Sequence, residues 1–375
     1  MAKKEDSPLN SIINKFNETM GDGVIHKAAT LPECRKIRST VPAYNYVTCG
    51  GFPIGRVIEH YGANGSLKSY LAYDAIAQFQ HYDWANHVQG AFTGFEYGGS
   101  GVGEITKIHL RRGYKPVKEP IARRVALLDF EATYTSDWGE NFGIDNDGLI
   151  LIRPTYTTEG VDVAQALLAQ EDIGLLVIDS LSAVGTDDEV DKSMEDHQMA
   201  SGAKFWNKAF RKFQSAMNGN PTREATLLVI NSAYQTVGIA YGDPERLRNG
   251  EQLQRTKSMS VRFQGLKAIQ GKTDEGDIVV GRNVTIKNVK NKVGTPNRSA
   301  NFFYSYVDYG TTPANKTDVA SQLIDLGIRF GYVERKGAWY SFGDARVQGL
   351  DNLAEELVKS GKLKELEKEL EKDIY

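Results

Sequence analysis

The sequence predicts an α/β fold: a mostly parallel central sheet flanked by helices, with an N-terminal helix before it and a small C-terminal α+β domain after it. Three observations carry this. Short, continuously apolar runs alternate with helical patterns from about Arg56 to Ile230, as expected of parallel strands buried on both faces. The 375 residues suit one large domain with appendages. After about Gly310 the composition changes to a helical segment, an aromatic strand and a run rich in Glu and Lys.

Pro8–Met20 carries Leu9, Ile12, Ile13 and Phe16 at helical spacing and is stopped by Gly21-Asp22-Gly23. Its single apolar stripe implies docking, on its own domain or on a neighbouring subunit. Strands are predicted at Arg56–Tyr61, Val125–Asp129, Leu175–Asp179, Leu227–Ile230 and Val284–Val289, and helices at Ser69–Gln80, Val161–Gln170 and Gln198–Met217. Gly94–Arg124 breaks the rhythm. It reads as an inserted hairpin plus loop with seven basic residues against three acidic ones. Ala233–Arg255 reads as a long connection without periodicity, and such loops are usually functional. In the last part, Val319–Phe330 is predicted helical, Trp339–Phe342 a strand and Asp351–Lys372 one charged helix with a solvated face. The expected domains are therefore 1–40 (helix and linker, for oligomerisation), 41–310 (core, with insertion 94–124) and 311–375.

Composition bounds the function. The chain is 41% hydrophobic and 25% charged, ordinary for a globular protein. No apolar stretch approaches the roughly 18 residues of a membrane helix, and the charged start Met1–Asp6 lacks a signal core. Two cysteines, Cys34 and Cys49, exclude a disulfide scaffold or multi-cysteine zinc site and suit a reducing cytoplasm. A net charge of -3 argues against a globally basic nucleic-acid binder and leaves room for a local basic groove.

The strongest motif is Gly62-Ala63-Asn64-Gly65-Ser66-Leu67-Lys68-Ser69, placed after a strand and before a helix. That is the context of a phosphate-binding loop, because N–H groups at a helix N-terminus favour an anion. Lys68 would reach the β/γ-phosphates of ATP and Ser69 would hold Mg²⁺. Leu67 stands where glycine is usual, and a Cβ restricts the backbone there. Asp179, ending the strand Leu175–Asp179, is the matching acid for Mg²⁺. At another strand end, Asp129-Phe130-Glu131 offers Glu131 to polarise an attacking water. Trp138 is either an adenine-stacking ring or core. Lys290-Asn291-Lys292 puts two ammonium groups on one side of an extended chain: an exposed edge in a monomer, or a reach to a neighbour's ATP in a filament. His60, His81, His87 and His197 show no ligand spacing, so no metal beyond Mg²⁺ is expected.

These motifs resemble the RecA-type recombinases, including the UvsX-type phage branch. The likeness continues through Gly51-Phe52-Pro53-Ile54-Gly55-Arg56, Val237–Glu245, Val289–Lys292, Leu323–Gly327 and Gly337-Ala338-Trp339-Tyr340-Ser341. It implies a RecA-like P-loop core and an ATP-dependent DNA recombinase. Such a protein forms a helical filament on single-stranded DNA and pairs that strand with a homologous duplex, assisted by single-strand-binding and loader proteins in the cytoplasm (a host's, if phage-encoded). By position, the resemblance makes Lys68, Glu131, Lys290 and Lys292 catalytic, the two lysines acting across the subunit interface, and Trp138 the adenine stacker. It puts DNA loops at Asp187–Met199 and Ala233–Arg255, with Met199, Tyr234, Val237 and Gly238 in or beside them. Val237 is the wedge between base triplets, and Lys204 and Arg211 are flanking phosphate contacts. There are departures. Ser232 follows Asn231 where the family carries an ATP-sensing Gln. Tyr234 and Thr236 replace basic residues, with Arg246, Arg248 and Arg255 to compensate. Two other readings are a hexameric helicase-type motor and a weakly catalytic DNA-coating filament.

Overall fold

Leu127 and Leu128, neighbours in the sequence, face two different cores, which is why the strands read as unbroken apolar runs. The computed structural model describes residues 7–20, 33–99, 102–182, 201–235, 245–247, 251–273 and 276–374.

Residues 1–35 and 36–375 separate into two units. In the first, α1 spans Pro8–Met20, as its spacing predicts, with Leu9, Ile12 and Phe16 exposed. In the second, β1 (Lys36–Ile37) pairs with β2 (Phe52–Pro53) around α2 (Pro42–Thr48). β3 (Val57–Gly62) leads into α3 (Lys68–Gln80), and β4 (Phe92–Tyr97) and β5 (Ile105–Leu110) make the hairpin of the insertion. There follow β6 (Arg124–Asp129), α4 (Ser136–Glu140), β7 (Leu149–Ile152), α5 (Thr157–Leu168), β8 (Ile173–Asp179), α6 (Ser201–Gly219), β9 (Thr226–Gln235), β10 (Glu245–Leu247), α7 (Glu251–Thr256), β11 (Met259–Thr273), β12 (Gly276–Asn291) and β13 (Ser299–Ser305).

The central sheet runs β13-β12-β11-β3-β9-β8-β6-β7. The six strands from β11 to β7 are parallel, and β12 and β13 run antiparallel at one side. Ile58, Leu127, Val177 and Leu228 pack on the side of α2 and α3. Val57, Leu128, Ile178 and Leu227 pack with Phe210 and Phe213 of α6 on the other side. The register is what positions the site: Gly62 lies level with Ser232, and Asp129 with Asp179. Four strand ends therefore open on one edge, where ligands of open parallel sheets collect.

The C-terminal part holds α8 (Val319–Phe330), the three-stranded antiparallel sheet β14 (Glu334–Lys336), β15 (Trp339–Phe342) and β16 (Ala345–Gln348), and the helices α9 (Leu350–Lys359) and α10 (Leu363–Ile374). Two expectations are corrected. The single charged helix over 351–372 is two helices, because Gly361 takes a left-handed φ of 74° between them. Its Glu/Lys run is also more than a solvated face, since Leu366, Leu370 and Ile374 are buried. The connection 233–255 contains regular structure: β10 pairs antiparallel with β9, placing Arg246 opposite Tyr234, and α7 follows. Three residues of strand are too few for periodicity to register.

Candidate nucleotide and DNA site

The loop 62–68 is shaped by left-handed residues. A Cβ on Gly62 would lie 2.1 Å from the Phe263 carbonyl oxygen, so only glycine fits. Gly65 and Leu67 have φ of 69° and 68°. The strain of a left-handed leucine, about 1–2 kcal/mol, is offset by packing its side chain on the core. α3 begins at the next residue. Lys68 is buried. Its Nζ donates to the carbonyls of Gly62 and Ala63 at 3.0 and 2.9 Å, and Ser66 Oγ donates to Ala63 O at 2.7 Å. Burial lowers the Lys68 pKa, opposed by the charges of Asp179 and Glu131.

Asp179 is buried at the end of β8, and burial pushes its carboxyl up to about 6, with a hydrogen bond from Ser69 pulling the other way and Glu131 and Asp129 adding to the rise. Ser69 and Asp179 are thus in contact. One hydroxyl and one carboxylate are hard oxygen donors of the kind Mg²⁺ uses when phosphate oxygens and waters complete its shell. Among the described residues no group of three His, Cys, Asp or Glu could hold a metal alone.

The two acids of 129–131 have different work. Asp129 is buried and accepts from the N–H groups of Thr133 and Tyr134 and from Arg153 Nε and Nη2 at 3.1 and 2.9 Å, which fixes the turn after β6. Glu131 is exposed toward the same edge and accepts from Ser180 Oγ at 2.6 Å. Trp138, on α4, is half-buried and edge-on to Phe142 at 5.7 Å. Phe142 in turn meets Tyr70 and Tyr73 of α3 at 4.9 and 5.5 Å, so both readings of Trp138 keep a basis.

Ser232 Oγ donates to Asn64 Oδ1 at 3.2 Å, joining β9, the stem of the second loop, to the phosphate loop. Lys204 and Arg211 are exposed on α6, one face of it by their spacing. Met199, Val237, Gly238 and Arg248 lie outside the described residues, as does all of 187–199.

Lys290 and Lys292 sit elsewhere. Lys292 N donates to Ser258 O and Ser258 N to Val57 O, so Lys292 lies level with the start of β3, while Lys290, opposite Ser260, lies level with Glu59. Gly62 is at the other end of that strand, about 16 Å from the level of Lys292 and about 10 Å from that of Lys290 at the usual rise, with β11 between, beyond the reach of a lysine side chain. Both Nζ atoms donate to carbonyls at the end of α7: Lys290 to Gln254 O, and Lys292 to Arg255 O at 3.2 Å. Burial, then Lys292 and Lys257, hold the Lys290 pKa down.

Several residues escape sequence reasoning. Arg153, Ser180 and Arg282 matter only through partners far along the chain. So does the buried Glu59, which takes Lys257 Nζ, Ser260 Oγ at 2.7 Å and Asn231 Nδ2 at 3.0 Å. In the insertion, Lys107 pairs with Glu96 at 2.6 Å, and Arg123 pairs with Glu224 and lies over the Trp84 ring. Part of its positive charge is therefore internal.

A mostly parallel sheet of this order, with functional side chains gathered beyond the carboxyl ends of its strands, defines a RecA-like α/β protein. The family model for the RecA N-terminal domain matches residues 116–310, and that for the RecA C-terminal domain matches 321–375. The chain belongs to the RecA family, recombinases whose members are DNA-dependent ATPases using ATP with Mg²⁺. Protein RecA of Staphylococcus epidermidis (strain ATCC 12228) is 28% identical over 370 residues, 97% of this chain and 90% of that one. Protein RecA of Staphylococcus carnosus (strain TM300) is 27% identical over 97% of this chain and 89% of that one. The crystal structure of the RadB recombinase aligns at 12% identity with a TM-score of 0.43, over 71% of this chain and 94% of that one. No helix among the described residues is long and apolar enough to cross a membrane.

Proposed function

We propose that this chain is an ATP- and Mg²⁺-dependent recombinase subunit that assembles as a helical filament on single-stranded DNA, with each triphosphate shared between two subunits. The observation that carries this reading is the separation of its cationic groups: Lys68 stands at the carboxyl end of β3, and the ammonium groups of Lys290 and Lys292 are bonded at the end of α7, toward its amino end. One subunit cannot bring all three to one phosphate chain. Two successive subunits can.

In this reading the loop 62–69 binds the phosphates through backbone N–H groups and Lys68, and Ser69 and Asp179 would hold Mg²⁺, which neutralises charge on the β/γ-phosphates when bound. Glu131, steadied by Ser180, takes a proton from the attacking water as the bond from γ-phosphorus to the bridging oxygen breaks, giving ADP and inorganic phosphate. Lys290 and Lys292 of the next subunit stabilise the developing charge. Both lysines bond to carbonyls at the end of α7, which would tie the interface to the C-terminal end of the segment 233–256. Tyr234, Val237, Gly238, Arg246 and Arg248 in that segment, with Met199, Lys204 and Arg211, would face DNA by charge and stacking. Trp138 stacks on adenine. The exposed apolar stripe of α1 supports an oligomerisation arm in residues 1–40, with a core over 41–310 and a small domain over 311–375.

Electron microscopy of the chain with ATP, Mg²⁺ and single-stranded DNA, beside a strand-exchange assay on the same mixture, tests this. Helical filaments and exchanged strands are expected. Closed rings that unwind DNA directionally would favour a hexameric motor, and filaments without DNA-stimulated ATPase a coating protein.

A further inference from the structure

Arg282 lies on β12, and the two-residue period puts it on the same face as the buried Val284, Ile286 and Asn288, at the end of the sheet where the phosphate loop begins. Its side chain crosses the neighbouring strand at Gly265, where a Cβ would lie 3.4 Å from Nη1 and 3.6 Å from Cδ. Beyond it, Nη1 donates to Gly65 O at 2.8 Å. Its Nε is buried with no partner, a donor whose cost is relieved only when an acceptor arrives.

The bonded carbonyl matters because a trans peptide is planar and points its C=O and N–H in opposite directions. Fixing Gly65 O on Arg282 turns the Ser66 N–H away from Arg282. Lys68 holds the loop from within at Gly62 O and Ala63 O. Ser66 lies between the left-handed Gly65 and Leu67, in the alternating backbone that makes an anion-binding concavity.

We infer that Arg282 is a positioning residue for nucleotide binding: acting through Gly65 O, in the same subunit, it sets the Ser66 peptide so that the loop receives the polyphosphate. This rests on the reading of 62–69 as a phosphate loop and adds a residue outside that motif. The effect falls on the loop rather than on the γ-phosphate, so ADP and ATP are affected alike.

The test is calorimetric titration of ADP and of a non-hydrolysable ATP analogue, with Mg²⁺, into wild type, Arg282→Gln, Arg282→Lys and Gly265→Ala, with thermal melting of each protein alone. Arg282→Gln is expected to weaken both nucleotides roughly tenfold, the size expected for loss of a charge-assisted hydrogen bond, with Arg282→Lys recovering part of the loss. Gly265→Ala keeps the charge and moves the guanidinium by at most a few tenths of an ångström, since its Cβ would lie 3.4 Å from Nη1, so both affinities are expected to fall far less than in Arg282→Gln. Unchanged affinity in Arg282→Gln overturns the inference. So does a loss confined to the ATP analogue, which would assign Arg282 to the γ-phosphate, or a loss that only tracks the melting temperature. Should Arg282→Gln not fold, Arg282→Lys carries the test by the same criteria. Failure of wild type to bind either nucleotide would instead remove the phosphate-loop reading itself.

Discussion

The two ends of the central sheet carry opposite electrostatic problems. At the carboxyl end Asp129, Asp179 and Glu131 crowd together, and Asp179 is pushed up toward neutrality by burial and by its two acidic neighbours. At the amino end Lys290 and Lys292 lie side by side with backbone carbonyls as their bonded partners, and Lys290 is pushed down by burial and by Lys292 and Lys257. Each end is relieved only in part within one chain, by Lys68 and Arg153 at the carboxyl end and by Glu59 at the amino end. In the proposed filament, a cation–triphosphate pair between the carboxyl end of one copy and the amino end of the next would relieve both: metal to the carboxylates, phosphates to the lysines.

The sharpest way to break this contrast is Lys290→Ala/Lys292→Ala. DNA-stimulated ATPase is expected to fall on the order of a thousandfold, as when a cation supplied in trans is removed, measured by phosphate release. ATPase near wild type would detach the amino end from catalysis. Glu131→Gln comes next. It removes the proton acceptor at the carboxyl end and is expected to lower kcat by about 10²–10⁴, while nucleotide binding persists. A fall in binding with kcat retained would reassign Glu131 to structure.

Between the ends lies a group that neither motif announces. Glu59 is wholly buried on β3 and takes Lys257, Ser260 and Asn231 from three other places in the chain. Lys257→Met leaves that carboxylate buried and unpaired, at an expected cost of about 3–5 kcal/mol. Glu59→Gln/Lys257→Met together should recover most of it, both read by urea denaturation. Equal losses in single and double variants would show that packing, not charge, holds the position. Glu59 also marks what is legible in sequence. The strands β3, β6 and β8, the helix α3, the strand–loop–helix motif and the acids at strand ends are local patterns of spacing and hydrophobicity, and they fall within a few residues of prediction, whereas β9 and β12 run well beyond it and β7 and β11 are not predicted. Arg153 on Asp129, Arg282 on Gly65, Ser232 on Asn64 and Glu59 on Lys257 are contacts between residues 24 to 217 positions apart. They exist only once the sheet order is set. The stem β9–β10 and the break at Gly361 were missed for the opposite reason: each is too short to leave a period.

The smallest expected effect concerns Asp179 alone and sharpens the contrast at its carboxyl end. Its pKa rises from 3.8 in the unfolded chain to about 6 in the fold, chiefly through burial. Between those values the native state holds a proton that the unfolded state releases, so stability falls as pH rises from about 4 to 6 and is level above. Asp179→Asn removes the titration. Without nucleotide or metal, the variant should match wild type near pH 4 and exceed it near pH 7.5 by about 1–3 kcal/mol, measured by urea denaturation at both pH values. Added Mg²⁺ and ADP should reverse the order, because a ligand that binds the native carboxylate stabilises wild type by mass action and has less to hold in the variant. A difference between the two proteins that is the same at both pH values would mean that Asp179 already has its counter-charge within one subunit, and the carboxyl end would then have no unmet charge to offer a neighbour.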